Sequence, residues 1–148
     1  MDNMEKMDSM DRMALIVRHC RTFSEKKLKE YDLSFGEQVI MMFLTSHENV
    51  NQDTISKTYL MDKSVIAKTL NRLEQKEIIV RKQNPENKRE NLISLTQSAK
   101  EILEKMQMIL EEWNSILYSG MSLEDTETYN RLTKKVEENI EQFLAKDK

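Results

Sequence analysis

The chain has 148 residues, of which 33% are charged and 39% are hydrophobic, and its formal net charge is −3. This composition is typical of a soluble, helix-rich protein that can bury a core. Only two glycines and one proline occur, which excludes an all-β fold with its many turns, and the single cysteine, Cys20, excludes an internal disulfide framework.

The hydropathy of the chain predicts a cytoplasmic protein. No stretch of about 18 apolar residues occurs, so no membrane span and no membrane partner are expected. The first residues carry acidic side chains and lack the apolar segment of a signal peptide. One cysteine without a partner is also typical of a reducing compartment.

Two helices are predicted at the start of the chain. Residues 9–30 place apolar side chains at helical spacing and predict an amphipathic helix. Ser34 and Glu37 form a capping-box pattern, so a second helix is predicted to begin there. The run Val39–Leu44 is apolar on all sides, which indicates that this second helix is central and buried.

Two shorter helices follow. Asn51 is a predicted N-cap for a helix that ends at Tyr59, and Asp62 is a predicted N-cap for a helix from Lys63 to Gln75. The other side chains of the Lys63–Gln75 helix are mostly small or basic. The side chains predicted to face the core are Ile55, Tyr59, Leu60, Ile66, Leu70 and Leu73.

A β-hairpin is predicted next. The β-branched run Ile78–Val80 and the alternating run Asn91–Leu95 suit two strands, and Asn84–Asn87 is a turn signal between them. The order helix, helix, strand, basic turn, strand is that of a helix-turn-helix with a hairpin wing. The predicted fold is therefore mainly α with a small β-hairpin wing.

The rest of the chain is predicted to be two long helices. Thr96 is the predicted cap of the first, and Gly120 is its predicted C-terminal stop. Ser122, with Asp125 three residues later, is predicted to start the second. The apolar stripe of this last helix is formed by Leu123, Tyr129, Leu132, Val136, Ile140 and Phe143.

Positive charge is concentrated in the central third of the chain. Residues 51–100 hold ten basic and six acidic side chains, a balance of +4, whereas the segments before and after carry −2 and −5. Binding to phosphates depends on the charge of the face that meets them, because salt screens distant acids. A charge cluster alone is usually a solvated surface, but its coincidence with the helix-turn-helix pattern favours double-stranded DNA as the partner.

Residues 63–75 have the properties of a recognition helix, because small side chains admit the backbone to base edges and cations reach bases or phosphates. The start of the preceding helix would lie near phosphate. The wing carries Arg81, Lys82, Lys88 and Arg89 around its turn, and this basic tip would enter the minor groove. The residues predicted to contact DNA are Gln52, Thr54, Lys63, Ser64, Val65, Ala67, Lys68, Arg72, Lys88 and Arg89.

These motifs resemble the MarR (multiple antibiotic resistance regulator) family. The resemblance lies in DKSVIAKTLNRLEQKEIIVR, in NPENKRENLISLTQSAKEI, and in Leu33-Ser34 with Gln38. It implies one MarR-like unit over residues 1–148, with a winged helix-turn-helix lobe over 33–96 and long dimerisation helices over 9–31 and 97–146. It also implies a homodimer that binds a palindromic operator, usually as a repressor.

Three features depart from the family pattern. The turn between the two short helices lacks a glycine and has Leu60-Met61 instead. Asn87 stands where the family usually has an aspartate, so it cannot form the ion pair that would brace Arg89, and a less rigid wing tip is expected. Glu77 stands where a glycine often ends the recognition helix, so a left-handed residue there would be strained.

The resemblance also implies a signal, either a small aromatic or phenolic ligand or an oxidant. By analogy, a ligand pocket would be lined by His19, Phe23, Tyr31, Phe35, Met41, Met42, Met106 and Trp113. The favoured interpretation of each residue is a core residue, because aromatic and methionine stripes usually pack inside proteins. Cys20 is the candidate redox sensor, because flanking cations lower the pKa of a thiol; its spacing on the helix also suits a buried apolar residue.

No cofactor, metal site or catalytic activity is predicted. The two histidines are far apart, and no phosphate loop, nucleophile motif or paired acid and base occurs. The alternative to a DNA-binding regulator is a helical protein-interaction module that uses its amphipathic terminal helices and does not read DNA sequence.

Overall fold

The computed structural model describes residues 8–59 and 61–146. The chain forms two compact units, of which one ends at Glu111 and the other begins at Glu112. Leu60, predicted to face the core, lies outside the described residues. The helices and strands are α1 (Ser9–Leu28), α2 (Phe35–Ser46), α3 (Gln52–Tyr59), α4 (Lys63–Gln75), β1 (Ile79–Gln83), β2 (Asn91–Leu95), α5 (Lys100–Leu117) and α6 (Leu123–Lys146), with short 3-10 turns at Lys29–Tyr31 and Gln97–Ala99.

Side-chain caps start α2, α3 and α4 where the sequence predicts them. At α2 the predicted capping box is formed: Ser34 Oγ accepts from the Glu37 amide at 3.2 Å, and a Glu37 carboxylate oxygen accepts from the Ser34 amide at 2.7 Å. Asn51 Oδ1 accepts from the Thr54 amide at 2.8 Å at the start of α3. Asp62 Oδ1 accepts from the Ser64 amide at 2.8 Å at the start of α4, and this hydrogen bond lowers the pKa of Asp62.

The two strands form an antiparallel hairpin, in which Ile79 lies opposite Leu95 and Gln83 opposite Asn91. Strand β2 has the predicted bounds, whereas β1 begins one residue after the predicted Ile78 and extends to Gln83. Val50, just before α3, forms an additional bridge with Ile93. The predicted class, mainly α with a hairpin wing, is confirmed.

The core of the first unit is formed by side chains from α1 to α4, from both strands and from the first part of α5. Each fully buried aliphatic side chain stabilises the fold by about 1.5–3 kcal/mol relative to exposure. The three predicted stripe residues of α4 are completely inaccessible to solvent. The core residues with the least exposure are Leu28, Ile40, Met41, Ile55, Ile66, Leu70, Leu73, Ala99 and Met106.

The prediction that Thr96 caps the helix after β2 is wrong. Its hydroxyl donates instead to the carbonyl oxygen of Glu77 at 2.6 Å, and the hydroxyl of Ser98 donates to the same oxygen at 3.1 Å. Glu77 has a φ of 58°, so it is in the left-handed conformation expected to be strained for a glutamate. The junction between β2 and α5 is thereby joined to the end of α4.

In the second unit, Ser122 and Asp125 form the predicted reciprocal cap of α6, with hydrogen bonds of 3.0 and 3.1 Å. Gly120 precedes it with a φ of 78°. Helix α6 has no buried residue, and its apolar stripe is open to solvent, with Ile140 55% and Phe143 65% exposed. Among the described residues, no helix has the length and apolarity needed to cross a membrane.

Candidate nucleic-acid interface

The surface of α4 opposite its buried stripe presents the side chains predicted for a recognition helix. Lys63, Ser64, Lys68 and Arg72 are exposed, and Ala67 is half-buried. Val65 is 45% exposed although it is β-branched and apolar. The small and aliphatic side chains near the start of the helix leave its backbone accessible, and the cations lie at its edges, as major-groove contact requires.

The start of α3 lies beside the start of α4. Gln52 is half-buried, and its amide donates to the Lys63 carbonyl oxygen at 3.4 Å. Thr54 is exposed, and its hydroxyl donates to Asn51 Oδ1 at 2.8 Å. The hydroxyl proton of Thr54 is therefore engaged within the protein, whereas Lys68 and Arg72 of α4 are exposed to solvent.

An ion pair within this surface was not predicted. Lys63 Nζ lies 2.9 Å from Asp53 Oδ1, and both side chains are exposed. The hydrogen bond from Lys63 and its charge, with a smaller contribution from Lys57, lower the pKa of Asp53. The pair joins two helices across ten residues of sequence, a distance at which no helical spacing would have suggested it.

The wing tip presents Lys88 and Arg89 to solvent. Asn87 Oδ1 accepts a hydrogen bond from the backbone amide of Arg89 at 3.2 Å and so closes a tight turn. Within the described parts of the chain, the Arg89 guanidinium forms no ion pair and no hydrogen bond. Asn87 thus holds the backbone of Arg89 and leaves its charge available.

Arg81, a further cation of the wing sequence, belongs to a different contact. Its Nε lies 3.2 Å from Glu74 Oε2, and its Nη2 donates to Asn71 Oδ1 at 2.7 Å. Arg81 therefore fixes the wing to α4, and the outward cations of the wing are Lys82, Lys88 and Arg89. The sequence did not separate these roles, since all four residues are basic and close to the turn.

The residues predicted to line a ligand pocket occupy several environments. Met41 and Met106 are completely buried in the core, and Phe23, Tyr31 and Met42 pack against it. His19 is exposed, and the half-buried ring of Phe35 lies 5.8 Å from the guanidinium of Arg21. Trp113 is half-buried and belongs to the second unit. A cavity of about 520 Å³ between α2 and α5 includes Met42 but none of the others, so the aromatic pocket remains a prediction.

Cys20 is half-buried on α1. Burial raises the pKa of its thiol, against a smaller opposing effect of a hydrogen bond with Ser24. The flanking cations therefore do not produce the lowered pKa expected for a reactive thiolate. The redox role remains a prediction that this environment disfavours. No three His, Cys, Asp or Glu side chains in the described residues are grouped as metal ligands.

The helical pair α3–α4 followed by the β1–β2 hairpin defines the chain as a winged helix-turn-helix protein. The model of the MarR family matches residues 33–91. The crystal structure of MarR superposes with a TM-score of 0.87 over 99% of this chain and 98% of that one, at 23% identity. A MarR family regulator from Listeria monocytogenes, solved with a 26mer DNA, gives a TM-score of 0.84 at 22% identity, over 90% and 89% of the two chains.

A curated relative is more similar in sequence to this chain than these two solved structures are. The HTH-type transcriptional regulator BilQ of Clostridioides difficile is 28% identical over 79% of this chain and 77% of its own length. The structural likenesses establish the fold, and the match to the family model establishes the kind of domain. Residues 33–91 therefore form a MarR-type domain, and most of the chain is similar to winged-helix transcriptional regulators.

Proposed function

We propose that this protein is a homodimeric, sequence-specific DNA-binding transcriptional regulator, and specifically a repressor of a palindromic operator. In each subunit α4 would enter the major groove, and the wing tip would enter the adjacent minor groove. The relatives are regulators and not enzymes, and no catalytic role is proposed.

The observation that carries this proposal is the two-sided character of α4. Its inner side is anchored by Ile66, Leu70 and Leu73, which are inaccessible to solvent. Its outer side combines small residues with Lys63, Lys68 and Arg72, and the free guanidinium of Arg89 lies on the neighbouring wing. A rigidly held helix with an accessible basic face is what base contact requires, and the DNA complex of the Listeria relative supports the same use here.

The dimer is supported by apolar surface that one chain does not cover. On α6, Leu132, Val136, Ile140 and Phe143 repeat at helical spacing and are all exposed. On α1, Met10 and Val17 are also exposed. Burying such stripes against a second copy would remove them from water, and a twofold dimer would place two recognition helices about one DNA turn apart.

A small aromatic ligand or an oxidant is proposed to release the repressor from DNA. The ligand would act by favouring a dimer whose recognition helices are incorrectly spaced. The raised pKa of Cys20 favours the small ligand over the oxidant. The discriminating measurement is loss of DNA binding with dilute organic hydroperoxide in the wild-type protein and in Cys20→Ser.

The DNA-binding function is tested by selecting duplexes from a random library with the purified protein. The expected product is a palindrome whose half-sites are about ten base pairs apart. Lys68→Ala/Arg72→Ala should weaken binding to it and reduce the salt slope by about one for each lost phosphate contact. Lys135→Ala on α6 removes an exposed charge outside the proposed interface and should change neither quantity.

The alternative function, a helical interaction module, makes the opposite prediction. Its activity would depend on the exposed stripe of α6 and would not respond to loss of Lys63, Lys68 and Arg89. If the protein binds no duplex at low salt, where electrostatic binding is strongest, the DNA-binding proposal is wrong and the interaction module is favoured.

A further inference from the structure

We infer that Glu90 is a positioning residue that sets the orientation of the wing and, through it, the contact of Arg89 with DNA. This inference rests on the proposed function. Glu90 lies outside the predicted interface. We assign to it the role of fixing the wing, because Asn87 cannot form an ion pair with Arg89. The wing would then owe its geometry to a carboxylate that itself makes no contact with a base.

Glu90 connects the wing to the helix-turn-helix. One of its carboxylate oxygens accepts a hydrogen bond from Asn51 Nδ2, and the other accepts from Asn84 Nδ2 at 2.7 Å. Asn51 is the N-cap of α3 and lies 39 residues earlier in the chain, whereas Asn84 follows β1 directly. A single half-buried side chain thus joins the base of the wing tip to the helix that precedes the recognition helix.

The two asparagines determine which side chain can occupy this position. Asn51 Oδ1 accepts from the amide and hydroxyl of Thr54, both at 2.8 Å, and Asn84 Oδ1 accepts from the Glu86 amide at 3.0 Å. Both amide oxygens are therefore engaged, so both NH2 groups must face Glu90. Only a group with two acceptors and no donor satisfies them, which a carboxylate does and a glutamine does not.

The anchor acts on Arg89 through the backbone of the tip. The Asn84 amide donates to the Glu90 carbonyl oxygen at 2.8 Å, and the Glu90 amide donates to the Asn87 carbonyl oxygen at 3.0 Å. Arg89 lies inside this closed turn, immediately before the anchored residue. Its side chain also lines a cleft of about 390 Å³ with Asn51 and Gln52, at the start of α3.

Glu90 has two opposite effects on DNA binding. Its negative charge lies beside the surface proposed to meet phosphate, so it weakens binding to any duplex. Its hydrogen bonds fix the backbone of the turn that carries Arg89, so they strengthen binding to the correct duplex. Removing the side chain should therefore increase non-specific affinity and decrease specific affinity. Loss of a surface charge alone would move both affinities in the same direction.

The test compares Glu90→Ala with Glu86→Ala, which removes an exposed acid from the same tip and keeps the backbone amide that bonds Asn84. Affinities are measured for the duplex selected by the wild type and for a scrambled duplex, at one salt concentration. Glu90→Gln is included because it keeps the size of the side chain, and Arg89→Ala is made in both backgrounds. Circular dichroism establishes that each variant is folded.

Glu90→Ala and Glu90→Gln are expected to lower the ratio of specific to non-specific affinity about tenfold, whereas Glu86→Ala leaves it unchanged within about twofold. Arg89→Ala should reduce specific affinity at least fivefold less in the Glu90→Ala background than in the wild type, about 1 kcal/mol of coupling. Equal effects of Arg89→Ala in both backgrounds, or the same behaviour of the Glu86 and Glu90 variants, would overturn the inference. A wild type that selects no sequence would overturn the proposed function instead.

Discussion

Helices α4 and α6 start alike and meet different surroundings. Asp62 caps α4 and Ser122 with Asp125 caps α6, and in both cases the hydrogen bonds lower the pKa of the aspartate. Both helices then carry an apolar stripe at helical spacing. The stripe of α4 is buried by its own chain, whereas α6 has no buried residue at all.

The difference shows that the start and the apolar side of a helix are encoded locally, whereas the surface that covers the apolar side is not. Caps and periodicity define where each helix begins and which side is apolar, and they do so equally for both. What covers the apolar side is decided by the rest of the molecule. In α4 that cover is the lobe itself, and for α6 we propose that it is a second copy of the chain. Four variants test the two helices and the contacts around α4, in order of decreasing effect.

Val136→Asp/Ile140→Asp should convert the proposed dimer to a monomer. Each carboxylate would be buried without a partner in the interface, at a cost of several kcal/mol. Size-exclusion chromatography with light scattering measures the mass directly. Arg131→Asp, on the far side of α6 by helical spacing, is the matched control and should remain dimeric. An unchanged mass for the double variant would show that this stripe is not the interface.

Leu70→Ala should lower the free energy of unfolding by about 2–5 kcal/mol, because Leu70 is fully buried and the cavity left behind cannot collapse completely. Denaturant unfolding measures the loss. Val65→Ala, on the exposed side of the same helix, should stay within about 1 kcal/mol of the wild type. If the two variants were equally destabilised, the assignment of inner and outer sides of α4 would be incorrect.

Glu77→Gly should raise the free energy of unfolding by up to about 1 kcal/mol. Glycine relieves the left-handed conformation at a φ of 58°, and the carbonyl that accepts from Thr96 and Ser98 is retained. Thermal unfolding is a sufficient measurement. Gln75→Gly, two residues earlier and helical, should instead destabilise by about 1 kcal/mol. A loss of stability in both variants would mean that the Glu77 side chain contributes more than its backbone strain removes.

Asp53→Asn should have the smallest effect and should show it only in acid. Because Lys63 lowers the folded-state pKa of Asp53, the ion pair contributes stability above the ordinary aspartate pKa, about 3.9, and loses it as the pH falls through the lower folded-state value. Melting temperatures measured between about pH 5 and pH 2 should therefore fall less steeply for the variant. Identical curves would show that the exposed pair adds nothing to stability.

Features encoded within a few residues were predictable from the sequence. The bounds of α3, α4 and β2 match the predicted ones, because caps and apolar periodicity act over three or four residues. The outer surface of α4 was also predictable, since it is what remains once the buried stripe is assigned. The strained position of Glu77 was anticipated from the family resemblance, because the family often has a glycine there, and its φ is 58°.

Contacts between distant residues were not predictable in this way. The bridge of Val50 with Ile93 has no periodicity, because it involves one residue on each side. The hydroxyl of Thr96 was predicted to cap the nearest helix, but in the folded chain it donates to the carbonyl oxygen of Glu77. Glu90 was overlooked, since the amide that selects a carboxylate there lies on another element.

The double hydrogen bond at the Glu77 carbonyl has a mechanical consequence. Thr96 and Ser98 precede α5 by only a few residues. Their hydrogen bonds therefore hold the start of α5 close to the end of α4. Because only a short turn lies between this contact and α5, a small rotation at the start of α5 would also displace the end of α4. In this lobe the segment before α5 is thus hydrogen-bonded to the end of the helix with the basic face.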